Sequence, residues 1–287
     1  MTVFLNGEFM PIEEAKIPVL DRGFIFGDGI YELVPVYSRA PFRMEGHLAR
    51  MERSLHEVGI TNPYRREEWA RLIHTLIGMH DVDDQAVYWQ VTRGVAKRDH
   101  AFPKDIRPTV FMMSNPLVNP APALVEHGAK AVTAQDVRWH RCDIKSISLL
   151  GNCMARQLSA EVGAVETILF RGDLLTEASA SNVLIVKNGV IITPPKNNLI
   201  LPGITLDVVF DVVARGQLPL EVREVTAAEV RSADELWVSS SSKEILAITT
   251  LDGQPIGEGR PGPVFRRAWQ IYQDFKNDVM RQHAAHA

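Results

Sequence analysis

Three prolines fall within nine residues in Ser114-Asn115-Pro116-Leu117-Val118-Asn119-Pro120-Ala121-Pro122. Proline has no amide hydrogen and a fixed φ, so this run opposes both helix and central strand and reads as a linker. The expected organisation is an N-terminal α/β domain over 1–115, a linker over 116–122 and a C-terminal α+β domain over 123–287. With 287 residues, 46% of them hydrophobic, each half can build its own core. No repeat of fixed period and no low-complexity tract interrupts this reading.

The first half mixes hairpins and helices. Val3-Phe4-Leu5 and Glu8-Phe9-Met10 flank Asn6-Gly7, a pair suited to the positive φ of a tight hairpin turn. Tyr31–Tyr37 and Pro41–Met44 read as strands, and His47–Gly59 as a helix with Leu48, Met51, Leu55 and Val58 at helical spacing. A second helix is expected over Arg66–Met79, then strands over Ala86–Thr92 and Pro108–Met113. The second half is richer in strands, at Ala129–Thr133, Thr167–Phe170, Val183–Val186 and Val190–Thr193, with a turn at Lys187-Asn188-Gly189. Helices are expected over Asn152–Val162 and Leu206–Ala214, and from Pro263 to about Arg281. Such an order implies two domains with a ligand cleft between them.

A formal charge of −4 gives no general basic surface, which argues against a nucleic-acid partner. Two cysteines, Cys142 and Cys153, cannot form a disulfide framework and read as buried thiols in a reducing compartment. The start Met1-Thr2-Val3-Phe4-Leu5 lacks a charged region ahead of an apolar one, and no apolar stretch approaches a membrane span. The expectation is a cytoplasmic protein with no metal site and no membrane partner.

Chemistry centres on Lys145, alone in the apolar run Ile144-Lys145-Ser146-Ile147-Ser148-Leu149-Leu150 and read as lying on a strand. Desolvation disfavours a charged amine, and a neutral amine attacks carbonyls, so the position suits Schiff-base chemistry. The competing reading is a strand lysine whose head reaches water. Glu177 follows one hairpin later in Leu175-Thr176-Glu177-Ala178-Ser179. The run Gly23-Phe24-Ile25-Phe26-Gly27-Asp28-Gly29 is neither a Walker nor a Rossmann loop; it marks a backbone passing close to another backbone or to a ligand, or a plain structural loop. Leu201-Pro202-Gly203-Ile204-Thr205 leads into a helix whose first amides suit a phosphate, or Thr205 is simply an N-cap. Arg50 is either a phosphate ligand or part of a solvated helix face. Ser239–Ser242 is a loop or a set of donors, and Arg93–His100 is a carboxylate clamp or a solvated basic loop.

Taken in order, these pieces resemble the fold-type IV pyridoxal-phosphate (PLP) enzymes, most closely the D-amino-acid aminotransferases. The segments that carry the resemblance are Asp21-Arg22-Gly23-Phe24, Gly27-Asp28-Gly29-Ile30-Tyr31-Glu32, His47-Leu48-Ala49-Arg50, Arg93-Gly94 with Arg98 and His100, Cys142-Asp143-Ile144-Lys145-Ser146, Thr176-Glu177-Ala178-Ser179 with Ser181-Asn182, and Ile204-Thr205. The resemblance implies an α+β protein of two domains, with PLP in the cleft between a smaller N-terminal α/β domain and a larger strand-rich pseudo-barrel. It implies Lys145 as the residue joined to the cofactor aldehyde and Glu177 as the carboxylate at the pyridine nitrogen. Arg50, Ile204, Thr205, Ser240 and Ser241 resemble the phosphate-binding set, and Leu201 the side chain packed on the cofactor ring. Tyr31, Arg98 and His100 resemble a substrate-carboxylate trap, which in that family is completed by the neighbouring subunit and so implies a homodimer. Lys97 departs from the proline that many relatives carry before the trap arginine.

The implied reaction is ping-pong transfer of an amino group from a D-amino acid such as D-alanine to a 2-oxo acid such as 2-oxoglutarate, with Lys145 acting as base and then acid. Alternatives on the same fold are a branched-chain L-aminotransferase, an (R)-amine transaminase or an aminodeoxychorismate lyase. A non-catalytic PLP-binding protein is a further alternative, against which both Lys145 and Glu177 are present.

Overall fold

The computed structural model describes residues 1–281. The chain forms two compact units, one from Met1–Leu117 with Ile144–Leu149 and the described residues from Met280 onward, the other from Val118–Asp143 with Leu150–Val279.

The first unit contains β1 (Thr2–Leu5), β2 (Glu8–Pro11), α1 (Arg22–Phe26), β3 (Gly29–Tyr37), β4 (Ala40–Pro41), α2 (Met44–Glu57), α3 (Arg66–Gly78), β5 (Gln85–Thr92) and β6 (Thr109–Pro116). Its strands make one sheet in the order β2-β1-β6-β5-β3-β4, and every pairing is antiparallel. Period-two patterning turns Gln85, Val87, Trp89 and Val91 of β5 inward, while Ala86, Tyr88 and Gln90 stay partly accessible. The helical stripes Leu48-Met51-Leu55 of α2 and Trp69-Ile73-Leu76 of α3 bury against Val34, Val87 and Trp89, giving one apolar cluster.

The second unit contains α4 (Pro122–His127), β7 (Ala129–Gln135), α5 (Leu150–Glu161), β8 (Glu166–Arg171), β9 (Leu174–Ala178), β10 (Asn182–Lys187), β11 (Val190–Thr193), α6 (Ile204–Arg215), β12 (Leu220–Val222), α7 (Ala227–Arg231), β13 (Glu235–Ser240), β14 (Glu244–Leu251), β15 (Gln254–Pro255) and α8 (Pro263–Phe275). One π-helical turn, Lys276–Met280, prolongs α8. The sheet runs β12-β11-β10-β13-β14-β7-β8-β9, with β15 added to β14. Its pairs β11–β12, β14–β7 and β7–β8 are parallel and the rest antiparallel, a mixed sheet that fits the α+β class. Ile168, Val183, Ile185, Leu236, Val238, Leu246 and Ile248 form its core.

Several features differ from the sequence reading. The units are not two contiguous blocks: Ile144–Leu149 groups with the first unit, because its backbone bonds to the start of β3. The linker is shorter than 116–122, since β6 continues to Pro116 and α4 begins at Pro122. Proline is tolerated at the end of β6 because β1 pairs only as far as Met112, leaving the far side of Pro116 without a strand. Pro41–Met44 is a strand only at Ala40–Pro41; Arg43 turns left-handed, φ 52°, and Met44 opens α2. Lys145 lies on an irregular segment rather than a strand, and Glu177 is separated from it by α5 as well as the β8–β9 hairpin. Cys142 is buried as expected, but Cys153 is exposed on α5. The C-terminal end of the expected domain, 282–287, lies outside the described residues. Among those described, no helix is long and apolar enough to cross a membrane.

Candidate active site

In the first unit the glycine-rich run lets a second backbone pass. A side chain at Gly29 would sit 2.6 Å from the Val91 carbonyl oxygen and 3.0 Å from Ile147 Cδ1. Gly27, the left-handed C-cap of α1, leaves room for Ser148, whose hydroxyl donates to the Gly27 carbonyl at 2.8 Å. Through this gap runs the lysine segment: Tyr31 N–H donates to the Lys145 carbonyl at 2.9 Å, and Ile147 N–H to the Gly29 carbonyl at 3.1 Å. Lys145 N–H in turn donates to Ser54 Oγ of α2 at 3.3 Å. The lysine is therefore pinned at both faces of its peptide, and its Nζ lies 4.1 Å from the centroid of the Tyr31 ring.

Beneath Tyr31 the strand alternates. Glu32 faces inward with Ile30 and Val34, a carboxylate in an apolar layer that must be paired to persist. Arg50 of α2 donates to it twice, Nε to Oε1 at 2.7 Å and Nη2 to Oε2 at 2.8 Å, and His47, one turn earlier, donates from Nδ1 at 2.8 Å. Burial alone would raise the Glu32 carboxyl, but Arg50 and His47 outweigh it and hold it far below the ordinary carboxylate range. Burial pushes His47 the other way, below its ordinary value, so it pairs as the neutral imidazole. Arg50 is thus buried and fixed in orientation rather than part of a solvated face.

Tyr31, on the opposite face of β3, lies 5.8 Å from Tyr88, whose hydroxyl burial pushes up to about 12. Arg98 and His100 form a different cluster. Both are exposed and pack on Phe26 of α1, Arg98 at 5.3 Å and His100 at 5.6 Å from its ring centre.

In the second unit Glu177 sits on β9 and is 5% exposed. Its Oε1 accepts from Arg138 Nη1 at 2.5 Å, and its Oε2 accepts from the Leu201 amide at 3.0 Å and Asn182 Nδ2 at 3.5 Å. Arg138 is itself gripped by Asp136 through Nε and Nη2, both at 2.9 Å. Burial pushes the Glu177 carboxyl up, and the Arg138 guanidinium only partly reverses that. Oε2 thus takes two bonds and Oε1 one, so Oε1 keeps the acceptor capacity that a protonated ring nitrogen would use.

The segment after Leu201 is laid against Asn182, which donates to the Leu201 carbonyl at 2.9 Å. At Gly203 a side chain would fall 2.1 Å from Asn182 Oδ1, so any larger residue must displace the Asn182 side chain. Gly203, not Thr205, is the N-cap of α6, and the first helical bond runs from Asp207 N–H back to it, leaving the amides of Ile204 and Thr205 ahead of the ladder. Thr205 Oγ1 lies 3.4 Å from Ser241 Oγ in the β13–β14 turn. Ser240 Oγ accepts from the Lys243 amide at 3.2 Å, which shapes that turn. Amides ahead of the ladder, the positive end of a twelve-residue helix and two hydroxyls make a donor set that fits a phosphate.

The residues expected at the site thus fall into three groups: Lys145, Tyr31 and Arg50 around β3 and α2; Arg98 and His100 around Phe26; and Glu177, Leu201, Ile204, Thr205, Ser240 and Ser241 around β9, α6 and the β13–β14 turn. Sequence reasoning gave no role to Arg138, Asn182, Ser54 or the Glu32–His47 pair. The alternation Asp136-x-Arg138 was the only local signal for the first of these. The chemistry fits PLP: an amine positioned by its own backbone, a buried carboxylate with acceptor capacity left on Oε1 for a ring N–H, and a helix end suited to an anion.

Residues 29–251 match the family model for amino-transferase class IV. The chain is 40% identical over 274 residues to a D-alanine aminotransferase of Staphylococcus aureus (strain MW2), covering 95% of this chain and 97% of the relative. It is 38% identical over 284 residues to a D-alanine aminotransferase of Listeria monocytogenes serotype 1/2a (strain 10403S), covering 98% and 97%. Among solved structures, a branched-chain aminotransferase from the thermophilic archaeon Thermoproteus uzoniensis with norvaline superimposes with a TM-score of 0.88 at 24% identity, over 99% of this chain and 97% of that one. At that identity the likeness speaks for the fold alone, which is fold type IV. Class IV aminotransferases are PLP enzymes, and an amine, a carboxylate and an anion cradle held as described are what such an enzyme needs. The chain belongs to the class IV aminotransferase family.

Proposed function

We propose that this chain is a D-amino-acid aminotransferase that takes the amino group of a D-amino acid such as D-alanine and passes it to a 2-oxo acid such as 2-oxoglutarate. The observation that carries this reading is the match to D-alanine aminotransferases along nearly the whole of both chains. When bound, PLP supplies an aldehyde that captures amino groups and a ring that withdraws electrons from the substrate Cα.

The residues divide the remaining work. Lys145 would be the amine that joins the cofactor aldehyde and, once displaced by substrate, would serve as the base that takes the proton from the substrate Cα and as the acid that gives it back. Its carbonyl and amide bonds to Tyr31 and Ser54 fix the origin of that reach. Glu177 holds the ring-nitrogen proton, with Arg138 and the Leu201 amide supporting its charge. Arg50, Ile204, Thr205, Ser240 and Ser241 hold the phosphate, and Leu201 packs on the ring. Tyr31 of one protomer, with Arg98 and His100 supplied by the second copy, receives the substrate carboxylate, and that clamp decides which face of Cα meets Lys145.

We further propose a cytoplasmic homodimer. The two free thiols fit a reducing compartment. Phe24 and Phe102 are 70% and 62% exposed beside the loop that carries Arg98 and His100, which supports burial of that region against a second copy. Sedimentation at micromolar concentration tests the dimer; a monomer at that concentration contradicts it.

The activity itself is tested by supplying purified holoenzyme with D-alanine or L-alanine and 2-oxoglutarate. Turnover with the D-enantiomer is expected. Turnover with L-leucine and none with any D-amino acid overturns the reading. Lys145→Ala is expected to abolish transfer in a protein that remains folded.

A further inference from the structure

We infer that Arg22 is the positioning residue of the substrate-carboxylate trap, through a fixed hold on the loop that carries Arg98 and His100. The inference rests on the reading that these two residues form the trap. Arg22 opens α1 in the segment Asp21-Arg22-Gly23-Phe24, and no step of the proposed reaction uses it.

Arg22 is 3% exposed, and its guanidinium faces two ways. Nε donates to Asp28 Oδ2 at 2.7 Å, while Nη1 donates to the Asp99 carbonyl at 2.5 Å and more distantly to the Ala101 carbonyl at 3.4 Å. Asp99 is the residue between Arg98 and His100. The anchor therefore holds the backbone at the midpoint of the trap, and the flanking side chains splay over Phe26, which also lies 4.8 Å beneath the Arg22 guanidinium.

Behind the anchor stands a second arginine. Arg93 donates to the same Asp28 carboxylate at 2.8 and 3.0 Å and to the carbonyls of Val58 and Gly59 at 2.7 and 2.8 Å. Its guanidinium carbon lies 3.5 Å from the centre of the Phe102 ring, immediately past the trap. Although burial works against the charged form, the two arginines hold the Asp28 carboxyl below its ordinary value, so the cluster stays charged at neutral pH. No proline lies between Arg93 and Phe102, and Lys97 leaves the approach to Arg98 free in φ. Within the loop the Asp99 carboxylate accepts from the Ala101 amide at 3.2 Å, and Arg22 supplies the tertiary hydrogen bond nearest to Arg98.

A lysine at position 22 keeps the charge beside Asp28 but has a single head and cannot span Asp28 and Asp99 together. The test compares holoenzymes of wild type, Arg22→Lys, Phe102→Ala and Arg98→Ala. Two quantities are read: the rate of the first half-reaction with D-alanine relative to isopropylamine, which lacks a carboxylate, and amide hydrogen exchange across residues 98–102. Arg22→Lys is expected to lower the rate ratio about tenfold and to speed exchange of these amides about tenfold. Phe102→Ala, which removes a side chain on the face proposed to meet a second copy and is therefore compared only after sedimentation shows the wild-type assembly, should move both in the same direction by a smaller factor. Arg98→Ala should lower the ratio without speeding exchange.

If Arg98→Ala leaves the ratio unchanged, the trap reading fails, and faster exchange in Arg22→Lys would then show an anchor without a trap. If Arg98→Ala lowers the ratio while both Arg22→Lys and Phe102→Ala keep wild-type ratio and exchange, the inference about Arg22 is overturned. Faster exchange with an unchanged ratio overturns it equally. Should Arg22→Lys fail to fold, Arg22→Gln, which keeps hydrogen-bond donors but cannot reach Asp28 and the Asp99 carbonyl together, takes its place with the same expected and overturning results.

Discussion

Glu32→Gln is the substitution whose effect can be worked most directly from the geometry. Glu32 is fully enclosed and accepts two bonds from Arg50, at 2.7 and 2.8 Å, and one from His47 at 2.8 Å. Glutamine keeps one acceptor oxygen but removes the charge and turns an NH2 toward donors. Breaking one side of a buried ion pair costs about 3–5 kcal/mol, and the surviving acceptor puts this case near the lower bound. Arg50 then loses the anion that holds its orientation. Loss of one well-placed charged hydrogen bond to a phosphate is worth about 1.5–3 kcal/mol, so PLP should be retained about ten- to a hundredfold less tightly. The assay pairs urea unfolding, where the midpoint shift is the stability loss divided by the denaturant slope, with equilibrium dialysis of PLP. A wild-type midpoint would refute the claim that the pair is buried and intact. A shifted midpoint with wild-type PLP retention would refute the claim that Glu32 orients a phosphate ligand.

His47→Gln should flatten the acid limb of the stability curve. Folded His47 is held below its ordinary value, so the unfolded chain binds a proton there that the folded chain does not, and stability is lost as pH falls below about 6.5, by up to about 1.4 kcal/mol per pH unit. Parallel melting curves for wild type and variant between neutral and mildly acidic pH would contradict this. Gly203→Ala places a methyl 2.1 Å from Asn182 Oδ1 and must displace the side chain that holds the Leu201 carbonyl. A loss of about 1–3 kcal/mol, as for other overpacked sites, is expected together with weaker PLP retention; an unchanged unfolding midpoint would show that the loop has slack.

What could be read from the sequence depended on whether the information was local. The Asn6-Gly7 hairpin, α2 and α3 follow from turn chemistry and helical spacing, and they stand within a few residues of their expected bounds. The strands β13 and β14 gave no such signal: the serines of Ser239–Ser242 read as a loop, although Ser239 and Ser240 still belong to β13. Lys145 was legible as chemistry and illegible as structure. Its place in the apolar run from Ile144 to Leu150 suggests a strand, yet the segment is irregular because it is shaped by Gly27, Gly29 and β3, more than a hundred residues earlier. Arg138 and Asn182 acquire meaning only beside Glu177, and Arg22 only beside Asp99. Such pairings arise from tertiary contact, which leaves no trace in spacing.

The proposed chemistry depends on a covalent bond between Lys145 and the aldehyde of PLP. Borohydride reduction of the holoenzyme, followed by proteolysis and mass spectrometry, reads that bond directly. A pyridoxyl phosphate mark on the peptide containing Lys145, and on no other lysine, is the predicted result. A mark on a different lysine, or a reduced protein that carries none, would contradict it.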